Sequence, residues 1–171
     1  MRIRLTPELS YILGLWRHRK IPTGIGIRGN PQLLAVFSDA VLKEGLTEPG
    51  KLLSDKDTVY FYHSAYKRYL TELENEIPDR FRYKNEYSQA YLAGLFDARG
   101  GFTETGLPYI ARADAKDEMV LLRLGFRCEL IRDKLLIKDP RFLLYIKPWV
   151  RLTDVDYYLK RISFKSEEPK D

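Results

Sequence analysis

The sequence has few of the residues that build disulfide frameworks or metal centres. Among its 171 residues are one cysteine, Cys128, and two histidines, His18 and His63. A single cysteine excludes a disulfide within the chain, and these three residues are too few for a four-ligand zinc site of cysteine and histidine. We therefore expect no cofactor and no bound metal, and a reducing, cytoplasmic setting.

Long apolar runs and a strong imbalance of charge are also absent. No stretch approaches the ~20 apolar residues of a membrane-spanning helix, and the start MRIRLTPELS lacks the apolar segment of a signal peptide, so we expect no contact with a membrane. The chain is 44% hydrophobic and 31% charged, which is typical of one or two compact domains. Its 29 Lys and Arg against 24 Asp and Glu give a formal charge of +5, which favours a polyanionic partner without requiring one.

The hydrophobic pattern divides the chain into two halves with the same order of elements: helix, strands, helix, hairpin and helix. In the first half, Thr6 and Pro7 are typical of a helix start, and this helix is predicted to continue to about Lys20. In the second half, a helix is predicted from about Glu86 to Arg99. The predicted divisions are a first half at 1–76, a linker at 77–86, a second half at 87–165 and a polar tail at 166–171.

The remaining elements are predicted from apolar periodicity and turn residues. Two strands are expected on either side of residues 106–108. The segment 25–30 corresponds to 109–114, which places Arg28 at the position of Arg112 in the repeat. The first half is shorter before this segment and is therefore predicted to have lost most of one strand. Further helices are expected to begin near Pro31, Ser64, Lys116, Pro140 and Asp154, and hairpins to turn at residues 55–57 and 132–134.

Residues 91–102, YLAGLFDARGGF, resemble the motif of the LAGLIDADG homing endonucleases. Residues 12–20, ILGLWRHRK, resemble a degenerate copy at the matching place in the first half. The resemblance implies an α+β fold of the homing endonuclease type. Two pseudo-symmetric αββαββα-like halves, the first one degenerate, would meet through their motif helices in a monomer with a pseudo-twofold axis.

Each motif carries a glycine inside its predicted helix, Gly14 in the first copy and Gly94 in the second. Glycine within a helix costs ~1 kcal/mol relative to alanine, so its presence needs a reason. The resemblance supplies one, because it implies that the two motif helices approach each other closely and that small residues form their interface.

The eighth position of each motif departs from the family pattern. The resemblance implies acidic residues there, which hold divalent metals beside the phosphates to be cut. Arg19 and Arg99 occupy these positions. A guanidinium group cannot bind a cation, stays protonated and attracts phosphate. We therefore predict a protein with no catalytic residues and no nuclease activity, in which Asp97, at the sixth position, pairs locally or braces the helix end.

The resemblance also implies that the sheets face the major groove of DNA, and strand alternation then selects outward-pointing residues. Thr103 and Thr105 are expected on one face of the first strand of the second half. Whether Tyr60 and its alternate neighbours face solvent remains open at this point. The predicted nucleic-acid contacts are Arg17, Arg19, Lys20, Arg28, Arg99, Thr103, Thr105, Arg112, Arg127, Lys134 and Lys138.

Three functions are consistent with these features. The leading hypothesis is a double-stranded DNA-binding protein that does not cleave, such as a regulator, located on the nucleoid within the cytoplasm. The first alternative is an RNA-binding splicing cofactor of the maturase type, because a basic saddle binds either polyanion. The second alternative is a protein-interaction domain that no longer binds nucleic acid, which the small net charge leaves open.

Overall fold

Two helices, one from each half of the chain, lie side by side at the centre of the molecule. In the computed structural model, which describes residues 2–160, α1 spans Pro7–Arg17 and α5 spans Glu86–Arg99. The bounds of α5 are those predicted from the sequence. Asn85 caps its first turn, where the side-chain oxygen accepts a hydrogen bond from the backbone N–H of Ser88 at 3.1 Å.

α1 begins as predicted but ends earlier. The Thr6 side chain accepts a hydrogen bond from the backbone N–H of Leu9, as an N-cap does. The helix ends at Arg17 instead of Lys20. The physical reason is that Lys20 pairs with Ile27 in a β-bridge, so the chain must leave the helix before it.

Antiparallel strands form one sheet in each half. The first sheet contains β1 (Ile25–Arg28), β2 (Leu53–Asp55) and β3 (Thr58–Phe61), in the order β1-β3-β2. The second contains β4 (Gly100–Phe102), β5 (Pro108–Ala111), β6 (Cys128–Ile131) and β7 (Lys134–Ile137), in the order β4-β5-β7-β6.

The other helices complete the predicted α+β architecture of two similar halves, which the structure confirms. Pro78, in the segment predicted as a linker, lies in the first turn of a short helix, where proline is well tolerated. None of the helices within residues 2–160 is long and apolar enough to cross a membrane. The predicted tail at 166–171 falls outside the described residues. The helices are α2 (Pro31–Lys43), α3 (Ser64–Asn75), α4 (Ile77–Arg80), α6 (Ala115–Arg123), α7 (Arg141–Ile146) and a helical segment at 155–160.

The first sheet has three strands where the second has four, as the shorter spacing predicts. In the second half, Gly100 of β4 pairs with Ile110 of β5. In the first half, the corresponding strand is reduced to the bridge between Lys20 and Ile27. Two backbone hydrogen bonds flank this bridge, from the N–H of Ile21 to Gly26 at 3.1 Å and from the N–H of Arg28 to Arg19 at 3.0 Å. The bridge residue therefore follows α1 after two residues, whereas β4 follows α5 immediately.

One face of each sheet packs into the core beside the central helices. Val59 and Phe61 of β3 are buried, whereas Tyr62 just after the strand is 66% exposed. The face that carries Tyr60 and Tyr62 is therefore the one nearer to solvent, although Thr58 on the same face is buried. In the second hairpin, Leu135 and Ile137 are fully buried, and the lysines that alternate with them are exposed, as predicted.

The interface between α1 and α5 is a backbone-to-backbone contact at the two motif glycines. A methyl group added at Gly94 would lie 2.2 Å from the carbonyl oxygen of Tyr11, and one added at Gly14 would lie 2.3 Å from the carbonyl oxygen of Tyr91. Both neighbours are backbone atoms of the opposite helix, which cannot yield without moving that helix. The glycines are therefore required by the close approach, as the sequence predicted.

We expect Gly94→Ala to lower the free energy of unfolding by about 1–3 kcal/mol, because the added methyl overpacks the helix interface. This cost should exceed the ~1 kcal/mol that alanine gains in helix propensity. Urea denaturation measures the difference. Gly50→Ala is the control, because a methyl group there meets no atom within 4 Å. Equal stability of the two variants would show that the central helices can separate without cost.

Candidate nucleic-acid interface

The two arginines at the eighth motif positions cross between the central helices. The Arg99 side chain donates hydrogen bonds from Nε and Nη2 to the carbonyl oxygen of His18, at 3.3 and 2.9 Å. The Arg19 side chain donates from Nε to the carbonyl oxygen of Ala98 at 2.9 Å. Carbonyl groups at the C-terminal end of a helix have no partner within that helix. Each arginine therefore caps the end of the opposite motif helix.

These arginines belong to a group of three cations that we call the central basic cluster: Arg19, Arg99 and Arg112. Burial, followed by the charge of Arg112, lowers the pKa of Arg19. Burial, followed by the charges of Arg19 and Arg112, lowers the pKa of Arg99. Arginine is so strongly basic that Arg19 and Arg99 remain charged at neutral pH despite this lowering. Repulsion among them is relieved when an anion binds.

The surface beside the cluster is concave and basic. None of the residues that line it in the described part of the chain is acidic. Arg112 is exposed and has neither a hydrogen-bond nor an ion-pair partner within residues 2–160. The lining consists of His18, Arg19, Lys20, Ile21, Pro22, Arg28 and Arg99.

Asp97 braces the C-terminal end of α5, as expected. Its carboxylate accepts a hydrogen bond from the Tyr11 hydroxyl at 2.5 Å, and others from the backbone N–H groups of Arg151 and Leu152 at 2.9 and 3.2 Å. Burial raises the pKa of Asp97, although these three donors favour its charged form. Its oxygens are thus engaged in holding the two halves and the segment after α7 together.

Arg17, at the sixth position of the first motif, has a structural role that the sequence did not reveal. It is 5% exposed and donates to both carboxylate oxygens of Asp114, at 2.7 and 2.9 Å. It also forms an ion pair with the fully buried Asp117 and a 3.0 Å hydrogen bond to the Tyr91 hydroxyl. The predicted contact of Arg17 with nucleic acid is wrong, because its guanidinium is already enclosed by two carboxylates of the other half.

The acidic partners of Arg17 are positioned by the start of α6. Asp114 is the N-cap of this helix, and the Asp117 carboxylate accepts a hydrogen bond from the Asp114 backbone N–H at 3.1 Å, which completes a capping box. Burial acts to raise the pKa of Asp114, but the charge and hydrogen bonds of Arg17 outweigh it and lower the pKa. His18 adds a 2.8 Å contact from Nε2 to Asp117. Asp114 and Asp117 therefore cap a helix and, through Arg17 and His18, join the two halves.

The prediction that Thr103 and Thr105 share a strand face is wrong. β4 ends at Phe102, and the next residues form the turn to β5. The two threonine hydroxyls lie 2.9 Å apart, and the backbone N–H of Leu107 donates to Thr103 Oγ1 at 3.0 Å. Hydroxyl-to-backbone bonds of this kind stabilise a turn instead of continuing a strand.

The predicted equivalence of Arg28 and Arg112 is shifted by one residue. Thr58 and Lys134 are the first strand residues after the hairpin turn in their respective halves. Arg28 is opposite Thr58, but Ala111 is opposite Lys134. Arg112 is an additional residue after β5, held at φ +60°. This local bend accounts for the place of Arg112 in the central basic cluster. Alternation along a strand could not have predicted that place.

The other predicted contacts are exposed, as expected, but several are paired with acids. Lys20 forms an ion pair with Glu74, Lys138 pairs with Glu129 at 2.6 Å, and Arg28 lies 3.6 Å from Asp57. Lys134 lies over the ring of Tyr109, 4.9 Å from its centre. The side chain of Arg127 has neither an acidic nor an aromatic partner within residues 2–160. The sheets are therefore less basic than predicted, because three of these five cations are paired with acids.

No known protein-family model and no curated protein matches this chain. Solved structures do match. A structure of mesophilic variants of the homing endonuclease I-DmoI is 15% identical, with a TM-score of 0.58 over 84% of this chain and 96% of that one. I-DmoI in complex with DNA and Mn is 17% identical, with a TM-score of 0.57 over 86% and 98%. Its complex with DNA and Ca is 17% identical, with a TM-score of 0.58 over 91% and 97%. The chain thus has the homing endonuclease fold.

We expect Arg17→Met to lower the free energy of unfolding by about 3–5 kcal/mol, because it leaves the buried charge of Asp117 uncompensated. Denaturation at neutral pH tests this. The control is Arg28→Met, which breaks only an exposed pair with Asp57 and should change stability by less than about 0.5 kcal/mol. A small effect at Arg17 would mean that the two halves are held together without this ion cluster.

Proposed function

We propose that this protein is a monomer that binds double-stranded DNA without cleaving it, as a regulator does. The observation that carries the proposal is the pair of crossed arginines. They place two guanidinium groups at the C-terminal ends of the two central helices, with Arg112 as a third cation beside them. At these positions the resemblance to homing endonucleases implies metal-binding acids. The solved neighbour I-DmoI binds DNA in its complexes with Mn and Ca, which supports DNA as the ligand.

The loss of cleavage is supported by the charges at the centre. Divalent metals that assist phosphate cleavage need anionic oxygen ligands. Arg19 and Arg99 occupy the eighth positions, and the Asp97 carboxylate already accepts three hydrogen bonds. Within residues 2–160, no group of three or more histidines, cysteines and acids is arranged to hold a metal. A positive centre repels Mg²⁺ and attracts phosphate instead.

The geometry of the cluster suits a phosphate of the DNA backbone. A guanidinium group has five N–H donors. Arg99 uses Nε and Nη2 on His18, so Nη1 remains, and Arg19 uses Nε on Ala98 and makes a long contact of 3.5 Å from Nη1 to a carbonyl oxygen. Because the carbonyls fix both side chains in advance, binding an anion requires little further ordering.

The resemblance implies that these helix ends meet the middle of the DNA site at its minor groove. A narrow minor groove has an enhanced negative potential, which attracts arginine. The code of that groove is degenerate, so the cluster would favour narrow or easily bent sites over a defined base sequence. A regulator with this centre binds the duplex through the DNA backbone and the shape of the groove. Exposed side chains of the sheets, such as Arg127, then contact base edges.

We expect the purified protein to leave supercoiled plasmid DNA intact in the presence of Mg²⁺ or Mn²⁺, because the eighth motif positions carry arginine. Conversion of plasmid to nicked or linear forms on a gel is the measurement. Metal-dependent cleavage that disappears in Asp97→Asn would contradict the proposal, because it would identify Asp97 as a metal ligand in a working nuclease.

We expect Arg112→Asn to flatten the plot of log binding constant against log salt by about one unit, because one phosphate contact is lost. Asparagine tolerates the positive φ at this position, so the fold should be kept. The measurement is a titration of a duplex that carries a fluorescent end label. The salt concentration is varied over roughly 50 to 300 mM, a range that spans physiological ionic strength.

The control for this titration is Lys43→Ala, which removes an exposed positive charge from the last turn of α2 and should leave the slope unchanged. A structured RNA is titrated in parallel. Tighter binding to RNA than to the duplex would favour the splicing-cofactor alternative. An unchanged slope in a folded Arg112→Asn variant would show that the central cluster does not meet phosphates.

A further inference from the structure

A second basic pocket lies at the opposite end of the central helices. Its walls come from the segment before α1, from α3, from α4 and from the start of α5. The central cluster lies at the C-terminal end of α5, and a 14-residue helix is about 20 Å long, so the two sites are well separated. The polar residues of this second pocket are Arg2, Arg4, Tyr69, Arg80, Asn85 and Tyr87.

The pocket presents hydrogen-bond donors, and most of them have no partner within residues 2–160. Arg2 and Arg4 have no hydrogen-bond or ion-pair partner within residues 2–160, and Arg80 has an exposed ion pair with Glu76 at 3.3 Å. The Asn85 oxygen accepts the backbone N–H groups of the first turn of α5, so its NH₂ group is left as a donor. Three guanidinium groups and an amide around one cavity match the oxygens of phosphate groups.

The size and the aromatic walls of the pocket indicate what carries the phosphate. Its volume is about 500 Å³, within the ~300–1,000 Å³ range of small-molecule sites. Tyr69 and Tyr87 contribute ring surface beside the arginines. Burial raises the pKa of Tyr69, so its hydroxyl stays protonated and can donate a hydrogen bond. Arginine and tyrosine together recognise a planar base attached to a phosphate, because both offer stacking surface as well as polar groups.

We propose that this pocket binds a nucleoside phosphate, with Arg2, Arg4 and Arg80 on the phosphate groups and Tyr69 and Tyr87 beside the base. The binding of a small nucleotide here is independent of the DNA-binding function proposed for the other end of the molecule. Occupation would tie the segment before α1 to α4 and α5, since the arginines come from different parts of the chain.

The test is isothermal titration calorimetry of the full chain with ADP, adenosine and pyrophosphate, in the absence of divalent metals. ADP should bind, and adenosine and pyrophosphate should each bind at least tenfold more weakly, because each lacks one half of the recognised ligand. Arg2→Ala combined with Arg4→Ala should weaken ADP binding about tenfold or more, since charged hydrogen bonds are lost. Lys43→Ala combined with Arg132→Asn removes the same charge from exposed positions elsewhere and should leave ADP affinity within twofold.

Several results would overturn the proposal. One is the absence of ADP binding, and another is equal affinity for ADP and either of its parts. A third is an Arg2→Ala/Arg4→Ala variant that binds ADP as the unmodified protein does. The titration is repeated with saturating duplex DNA, which should leave ADP binding intact. Displacement of ADP by the duplex would place the nucleotide at the central cluster and would also refute the separate site.

Discussion

The close approach of α1 and α5 is the constraint on which the rest of the structure depends. At Gly14 and Gly94 the backbone of each helix lies against the other, and no side chain fits between them. Because the helices touch at these points, their C-terminal ends also lie together. Only at this distance can Arg19 reach the carbonyl of Ala98, and Arg99 that of His18. The crossed caps are thus a consequence of two missing Cβ atoms.

The sixth positions of the two motifs share a structural role but fill it with side chains of opposite charge. The sixth positions, Arg17 and Asp97, both brace one half against the other, but one is a buried cation among carboxylates and the other a carboxylate among donors. The eighth positions, Arg19 and Arg99, are alike and act symmetrically. The two halves are therefore alike at the eighth positions, where the two helix ends meet. They differ at the sixth positions, where each helix contacts different neighbours. Burial makes these braces sensitive to the loss of a single partner.

The positive charge at the centre would favour a different kind of ligand from the divalent metal that the family resemblance implies at this place. Two carboxylates at the helix ends would attract divalent cations, and two guanidinium groups attract phosphate directly. The carbonyl oxygens of the helix ends stabilise the guanidinium groups, because helix C-termini carry partial negative charge. The fold therefore needs no carboxylate at these positions to satisfy its helix ends. The proposed exchange of a metal site for an anion site would therefore need no change in architecture.

The sequence by itself determined the order of elements, both hairpin turns, the bounds of α5 and the need for glycine at the helix interface, because these follow from local periodicity and from backbone geometry. It also predicted that Asp97 braces a helix end. It could not predict that Arg17 is buried, because its partners Asp114 and Asp117 are about 100 residues away and meet it only in the folded chain. Nor could it predict the crossed caps, because their acceptors are backbone carbonyls, which every residue has and no sequence pattern marks. Only the tertiary structure decided which arginines are enclosed and which remain available to an anion.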